Sequence, residues 1–232
     1  MKRFQCPTCG APLDVKATGA LLRCPYCSAA VVLPPELQAT PAAPPPASAT
    51  LLQDDLSADD GSWEMDDDSE GTQEHSPRGF HFRLGRDEWE SYAYHGSISV
   101  EDASAEVAIT KVGGPDDAWY GLLMRGGDEG CYCFCYSADG WYGIYGYHEE
   151  SEEDYTIAEG NEAGLVHTGN ASNVMRAVCR GARLELHLNG KQALWVKNTD
   201  FESGYLALAM GREEKDDGRV EAVFARLKVT TA

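Results

Sequence analysis

No stretch of the chain approaches the roughly 18 consecutive apolar residues that a membrane-spanning helix requires. The longest candidate, Ala29-Ala30-Val31-Val32-Leu33, stops at Pro34-Pro35. The N-terminus, Met1-Lys2-Arg3-Phe4-Gln5-Cys6, starts basic but lacks the apolar segment of a secretory signal. The expected location is therefore cytoplasmic, or a released particle of which the chain is a part. Histidines are few and scattered, at 75, 81, 95, 148, 167 and 187, with no HxH or HExxH spacing, so none is assigned a metal or catalytic role. Basic charge is scarce as well. Lys and Arg number 19 against 38 Asp and Glu, for a net charge of -19, and residues 37–77 hold no basic side chain at all. Such a chain is repelled by phosphate backbones, which argues against nucleic acid as a partner of the whole.

Charge and composition divide the chain into three zones. Residues 1–33 form a small cysteine-bearing module, with Lys2, Arg3, Lys16 and Arg23 giving it a weak positive face. Residues 34–77 form a linker. It opens with Pro34, Pro35, Pro41 and Pro44-Pro45-Pro46 among alanines and then turns acidic, through Asp66-Asp67-Asp68. A segment so poor in large apolar residues cannot offset the entropy of ordering, and mobility is expected. Leu51, Leu52, Leu56, Trp63 and Met65 are the residues that would let it dock instead. Residues 78–232 are long enough to bury a substantial core.

The first zone carries Cys6-Pro-Thr-Cys9-Gly10 and Cys24-Pro-Tyr-Cys27-Ser28. Two residues between paired cysteines let both sulfurs reach one ion from a tight turn, and two such pairs supply the four thiolates that tetrahedral zinc takes. Four protein ligands leave no open coordination position, so the zinc expected at Cys6, Cys9, Cys24 and Cys27 is structural. The two knuckles resemble those of bacterial zinc ribbons, a likeness confined to residues 4–33. It implies binding of nucleic acid or protein, or a mere cap; with four basic charges beside a competing acidic linker, docking on a protein partner, through the ribbon or the linker, is expected in preference to nucleic acid.

The third zone reads as all-β. Alternating or apolar runs at Ala105–Val112, Trp119–Arg125, Cys131–Tyr136, Trp141–Tyr147, Asn173–Arg180, Tyr205–Met210 and Val220–Val229 are separated by turn residues. Arg183–Leu188 and Gln192–Val196 flank Asn189-Gly190, a strong hairpin signal. Many closely spaced strands and no amphipathic helix point to an antiparallel sandwich. The fold class expected is thus mainly β: a small zinc ribbon plus a sandwich, joined by a Pro-rich acidic linker.

Gly121–Arg125, Cys131–Ser137, Asp139–Ile144, Gly181–Gly190, Gly204–Leu208 and Val223–Val229, in that order, resemble a concanavalin A-like jelly roll. The similarity is to bacterial family-sixteen-like and 3-keto-disaccharide-hydrolase-like domains, over roughly 80–230. It implies two packed antiparallel sheets with a concave face that often binds carbohydrate. Family-sixteen enzymes carry Glu-x-Asp-x-x-Glu on one strand, and this sequence has no match; Glu88 with Glu90, and Glu150 with Glu152, alternate without completing it. No catalytic residue is assigned.

Trp119, Arg125, Trp141 and Tyr145 are the candidate ligand contacts, rings to stack on sugar faces and a guanidinium to bond hydroxyls. Cys131, Cys133 and Cys135 share one strand face, and a spacing of about 6.6 Å is too wide for one tetrahedral metal; they read as small hydrophobes, with Cys179 able to pair with one of them if oxidised. The acidic run 149–154 reads as a solvated turn, with calcium as the alternative ligand. The function expected is a non-catalytic adaptor whose sandwich binds carbohydrate or protein. The rivals are a sugar-acting hydrolase or lyase and a structural subunit of an assembly.

Overall fold

The computed structural model describes residues 3–14, 21–32, 48–65, 71–85, 89–212 and 218–232. The chain divides into two compact units, 1–47 and 48–232. In the first, β1 (Arg3–Gln5) pairs with β2 (Pro12–Asp14), and β3 (Leu21–Arg23) with β4 (Ala30–Val32), both antiparallel. Leu13 and Val31 are buried with Cys6 and Cys24, giving this unit a small core of its own.

The second unit is two antiparallel sheets. One contains β5 (Thr50–Asp54), β7 (Thr72–Ser76), β8 (Gly79–Leu84), β10 (Ala103–Gly113), β15 (Ser172–Arg180), β16 (Arg183–Leu188), β17 (Lys191–Lys197) and β19 (Val220–Thr231). Its order is β17-β16-β15-β10-β19-β8-β7, and β5 shares the β8 edge of β19. The other contains β6 (Trp63–Met65), β9 (Glu90–Val100), β11 (Trp119–Gly127), β12 (Gly130–Ser137), β13 (Tyr142–His148), β14 (Glu153–Gly160) and β18 (Gly204–Gly211), in the order β14-β13-β12-β11-β18-β9-β6. Alternation decides which side chains meet between them. Tyr120, Leu122 and Met124 of β11 and Tyr132, Phe134 and Tyr136 of β12 face Phe80, Phe82, Phe224, Ile109 and Leu186 across one apolar core. The Asn189-Gly190 turn has positive φ at both residues, 51° and 80°, as the hairpin reading requires.

The linker expected over 34–77 is corrected in its second half. Thr50–Asp54 pairs with Leu227–Thr230, Trp63–Met65 with Ala93–His95, and Thr72–Ser76 with Gly79–Arg83. The physical reason is burial: Leu56 is fully buried, and Leu52 and Trp63 pack against the core. The sandwich unit therefore begins near Ser48, not at 78. The proline-rich stretch 34–47 and the acidic 66–70 lie outside the described residues. No helix among those residues is long and apolar enough to cross a membrane.

Candidate functional site

Two places gather side chains with chemistry. The first is the cysteine quartet. Each knuckle closes with the same pair of backbone bonds: Gly10 N–H donates to Cys6 O and Ser28 N–H to Cys24 O, while Cys6 N–H and Cys24 N–H reach Ala11 O and Ala29 O. Gly10 and Ser28 take positive φ, 71° and 60°, the left-handed conformation that lets each knuckle close. Cys6 Sγ lies 3.8 Å from Cys27 Sγ, and Cys9 Sγ 3.7 Å from Cys24 Sγ. All four sulfurs fall within 4.8 Å of one another. A tetrahedron with metal–sulfur bonds of about 2.3 Å has edges of about 3.8 Å, so the donor set fits a metal ion that prefers four thiolates. Among the described residues no other group of three or more His, Cys, Asp or Glu converges in this way, including the acidic run 149–154.

The second is the face of the seven-stranded sheet turned away from the core. On it lie Leu123, Cys131, Ala207 and Ala209, walled by half-buried Tyr92, Tyr94, Trp119, Tyr147 and Tyr205. Register extends it: Cys133 pairs with Tyr145, and Cys135 with Gly143, so Tyr145 belongs to the same face. Three glycines shape it. A Cβ on Gly126 would come 2.1 Å from the Tyr205 ring, one on Gly211 2.4 Å from Trp119, and one on Gly143 2.5 Å from Tyr145 and 3.0 Å from Trp141. These rings lie across bare backbone, one face on the sheet and the rest toward solvent. Glu159, on the edge strand, holds two of them: Trp141 Nε1–H and Tyr145 O–H both donate to its Oε2, at 3.3 and 3.1 Å. The two rings sit 5.6 Å apart, tilted by 43°. Burial and then the Glu159 bond push the Tyr145 phenol above its ordinary range. Tyr94 meets Tyr205 edge-on at 4.9 Å.

Trp119, Trp141 and Tyr145 are thus brought onto one face. Arg125 is not. It is 3% exposed at a bulge with φ 54°, and its guanidinium is committed to Glu101 O, Gly181 O, Phe201 O and Asp102 Oδ1. A side chain so enclosed cannot reach hydroxyls of a ligand. Cys131, Cys133 and Cys135 share a face as expected, but Cys179 packs in the core on the other side of this sheet, so the suggested disulfide with them is ruled out. Tyr92, Tyr94, Tyr205 and Glu159 were not singled out by sequence. The alternation Trp141-x-Gly143-x-Tyr145-x-Tyr147 carried the signal, since an interleaved glycine makes room for a ring on its own face.

No protein-family model matches the chain, and no curated protein sequence does. Solved structures do share its fold. The carbohydrate-binding module CBM66 from Bacillus subtilis superposes with a TM-score of 0.60 at 18% identity, covering 73% of this chain and 95% of that one. A Bacillus subtilis protein of unknown function with a galectin-like fold gives 0.61 at 11% identity, over 79% and 96% of the two chains. The Bacillus licheniformis β-glucanase gives 0.59 at 8%, over 80% and 99%. The sandwich is therefore a jelly roll of the kind found both in a carbohydrate-binding module and in carbohydrate-acting enzymes.

Proposed function

We propose that this chain is a non-catalytic glycan-binding protein, with a saccharide taken on the aromatic face of the seven-stranded sheet and a zinc ribbon that docks on a protein partner. The observation that carries the reading is the placement of Trp119, Tyr145, Trp141 and Tyr205 across Gly211, Gly143 and Gly126. Rings laid over backbone, two of them fixed by Glu159, offer apolar faces at little conformational cost, which is what stacking on a pyranose needs. In the ribbon, zinc would be held by Cys6, Cys9, Cys24 and Cys27 and would supply folding energy, not reactivity.

The fold's glucanases make a sugar-acting enzyme the rival. Carboxylate placement argues against it. Glycosidases need two carboxyl groups about 5–9.5 Å apart. Here β12, next to the central strand, presents Cys131, Cys133 and Cys135, while Asp154 and Glu159 sit on edge strand β14 and Glu64 and Glu90 on β6 and β9. Five strand spacings between β14 and β9 amount to about 24 Å, and five residues along β14 to about 16 Å.

The test is calorimetric titration of purified protein with a panel of oligosaccharides, beside Trp119→Ala and a product assay. Saturable binding that Trp119→Ala weakens, without turnover, is the expected result. Turnover abolished by mutating one carboxylate would replace this reading with the enzyme.

A further inference from the structure

Basic side chains are segregated between the two sheets. The strands of the eight-stranded sheet carry nine Lys and Arg. Those of the seven-stranded sheet carry one, Arg125, which is buried and fully engaged, against Glu64, Glu90, Glu153, Asp154 and Glu159. Four of these acids flank the rings. Glu64 is opposite Tyr94, Asp154 is opposite Tyr147, Glu90 bonds the Tyr92 hydroxyl and Glu159 takes Trp141 and Tyr145.

We propose that the saccharide bound on this face carries free, protonated amino groups, as oligomers of glucosamine do, and that the face rejects uronates. The inference rests on the glycan-binding reading above and assigns its ligand class. Ring faces of Trp and Tyr attract cations through their quadrupoles, more strongly where water is partly excluded. Carboxylates at both rims of the same face add Coulombic attraction for an ammonium and repulsion for a carboxylate. Asp154 is the plainest case. It stands exposed opposite Tyr147, and among the described residues no Lys or Arg forms an ion pair with it. The two bonds to Glu159 both fall on Oε2, which leaves Oε1 able to accept from a ligand. A neutral sugar would use the rings but leave these charges unanswered.

The experiment titrates full-length protein with glucosamine, glucose and galacturonate oligomers of equal length, at a pH where the amines are protonated, in low and high salt. The expected order is glucosamine over glucose over galacturonate, with an advantage of about fivefold for each ammonium–carboxylate pair at low salt that shrinks at high salt. Asp154→Asn combined with Glu64→Gln should cut that advantage while glucose-oligomer affinity holds. Equal affinity for the glucose and glucosamine oligomers overturns this inference and leaves the glycan-binding reading intact. So does tighter binding of the galacturonate oligomer, or an amine advantage that survives both salt and the double variant. Failure of all three oligomers to bind overturns both.

Discussion

The Trp63 indole N–H donates to Asp54 Oδ2 at 2.9 Å, joining a strand of one sheet to a strand of the other. Asp54 ends β5, which pairs with β19, and Trp63 opens β6, which pairs with β9. Between them Leu56 is fully buried with φ 64°, and its carbonyl meets His75 Nδ1 at 3.0 Å. The Trp63 ring meets His95 edge-on at 5.0 Å and Phe80 at 6.3 Å. Residues 50–65 are therefore a strap across the open side of the sandwich. Trp63→Ala removes the ring and leaves Asp54 Oδ2 without its indole donor, while Oδ1 keeps the Leu56 N–H, so the sandwich should lose about 3 kcal/mol, seen as a melting temperature lower by roughly 10 °C. Glu-C protease should leave Glu64 intact in the wild type and cut there in the variant. Rapid wild-type cleavage at Glu64 would mean that the strap is open in solution.

Arg125 closes one end of the sandwich in a similar way. Asp102 Oδ1 receives both its Nη2–H and the Gly181 N–H, so one buried cation binds the β9–β10 turn, the β15–β16 turn and the loop before β18. Arg125→Met should cost about 2–3 kcal/mol, because the buried Phe201 carbonyl is left without its donor and the bonds to Glu101 O, Gly181 O and Asp102 Oδ1 are lost with it. Lysine should not rescue it, since three donors on one nitrogen cannot reproduce the fork. Denaturant unfolding of both variants checks this; an Arg125→Lys variant within 1 kcal/mol of wild type, by the range just given, contradicts it.

How much of this was legible in the sequence varies with the distance over which the signal acts. The paired Cys-x-x-Cys knuckles and Asn189-Gly190 are local devices, and their backbone geometry follows from a few adjacent residues. β10 to β13 announced themselves by alternation. β14 did not, because Glu153 and Asp154 belong to the acidic run 149–154, which reads as a solvated turn, and Glu159 faces solvent on an edge strand. The strap was hidden for the same reason: its strands are three to five residues long within an acidic run, and only tertiary pairing with β19, β9 and β8 makes them strands. Arg125 misled because a strand residue beside two aromatic runs has the same pattern whether it faces ligand or turns inward at a bulge. Nothing short of the fold tells these apart.

The four-cysteine unit and the sandwich should unfold separately. Structural zinc in such modules contributes about 10–16 kcal/mol, so metal analysis should find one zinc per chain. Cys24→Ser or a strong chelator should unfold residues 1–33 without moving the sandwich's melting transition. A common shift of both transitions would show the units to be coupled.

Alkaline pH should destabilise the sandwich through its thiols. Burial pushes Cys131 and Cys179 up to about 12, from an ordinary value of 9.0, and raises Cys133 as well, there through its bond to Cys135 and then burial. A group whose folded pKa is raised contributes stability below the unfolded value and loses it as pH climbs through the folded one. Stability should hold up to pH 9 and fall between 9 and 12, with a shallower fall in Cys179→Ala. Iodoacetamide should leave these thiols unmodified in the native protein near neutral pH. Rapid native-state alkylation of Cys179 would contradict the burial on which this depends.

The aromatic face can be tested through its glycines without removing a ring. A methyl at position 143 would come 2.5 Å from Tyr145 and 3.0 Å from Trp141. Both rings would have to lift, and the bonds from Trp141 Nε1–H and Tyr145 O–H to Glu159 would stretch or break. Core packing inside the sheet is untouched, because Gly143 lies on the outer face beside Cys135. Gly143→Ala should therefore cost little stability, about 1 kcal/mol by analogy with modest overpacking, yet weaken saccharide binding by about threefold to tenfold, the worth of one aromatic contact. Trp119→Ala, acting on the far side of β12, should give a loss of similar size. If the two act on one ligand, the double variant should lose more than either alone. Calorimetry beside thermal melts separates the effects. Undiminished affinity in both single variants, with folding intact, would remove these rings from the binding site.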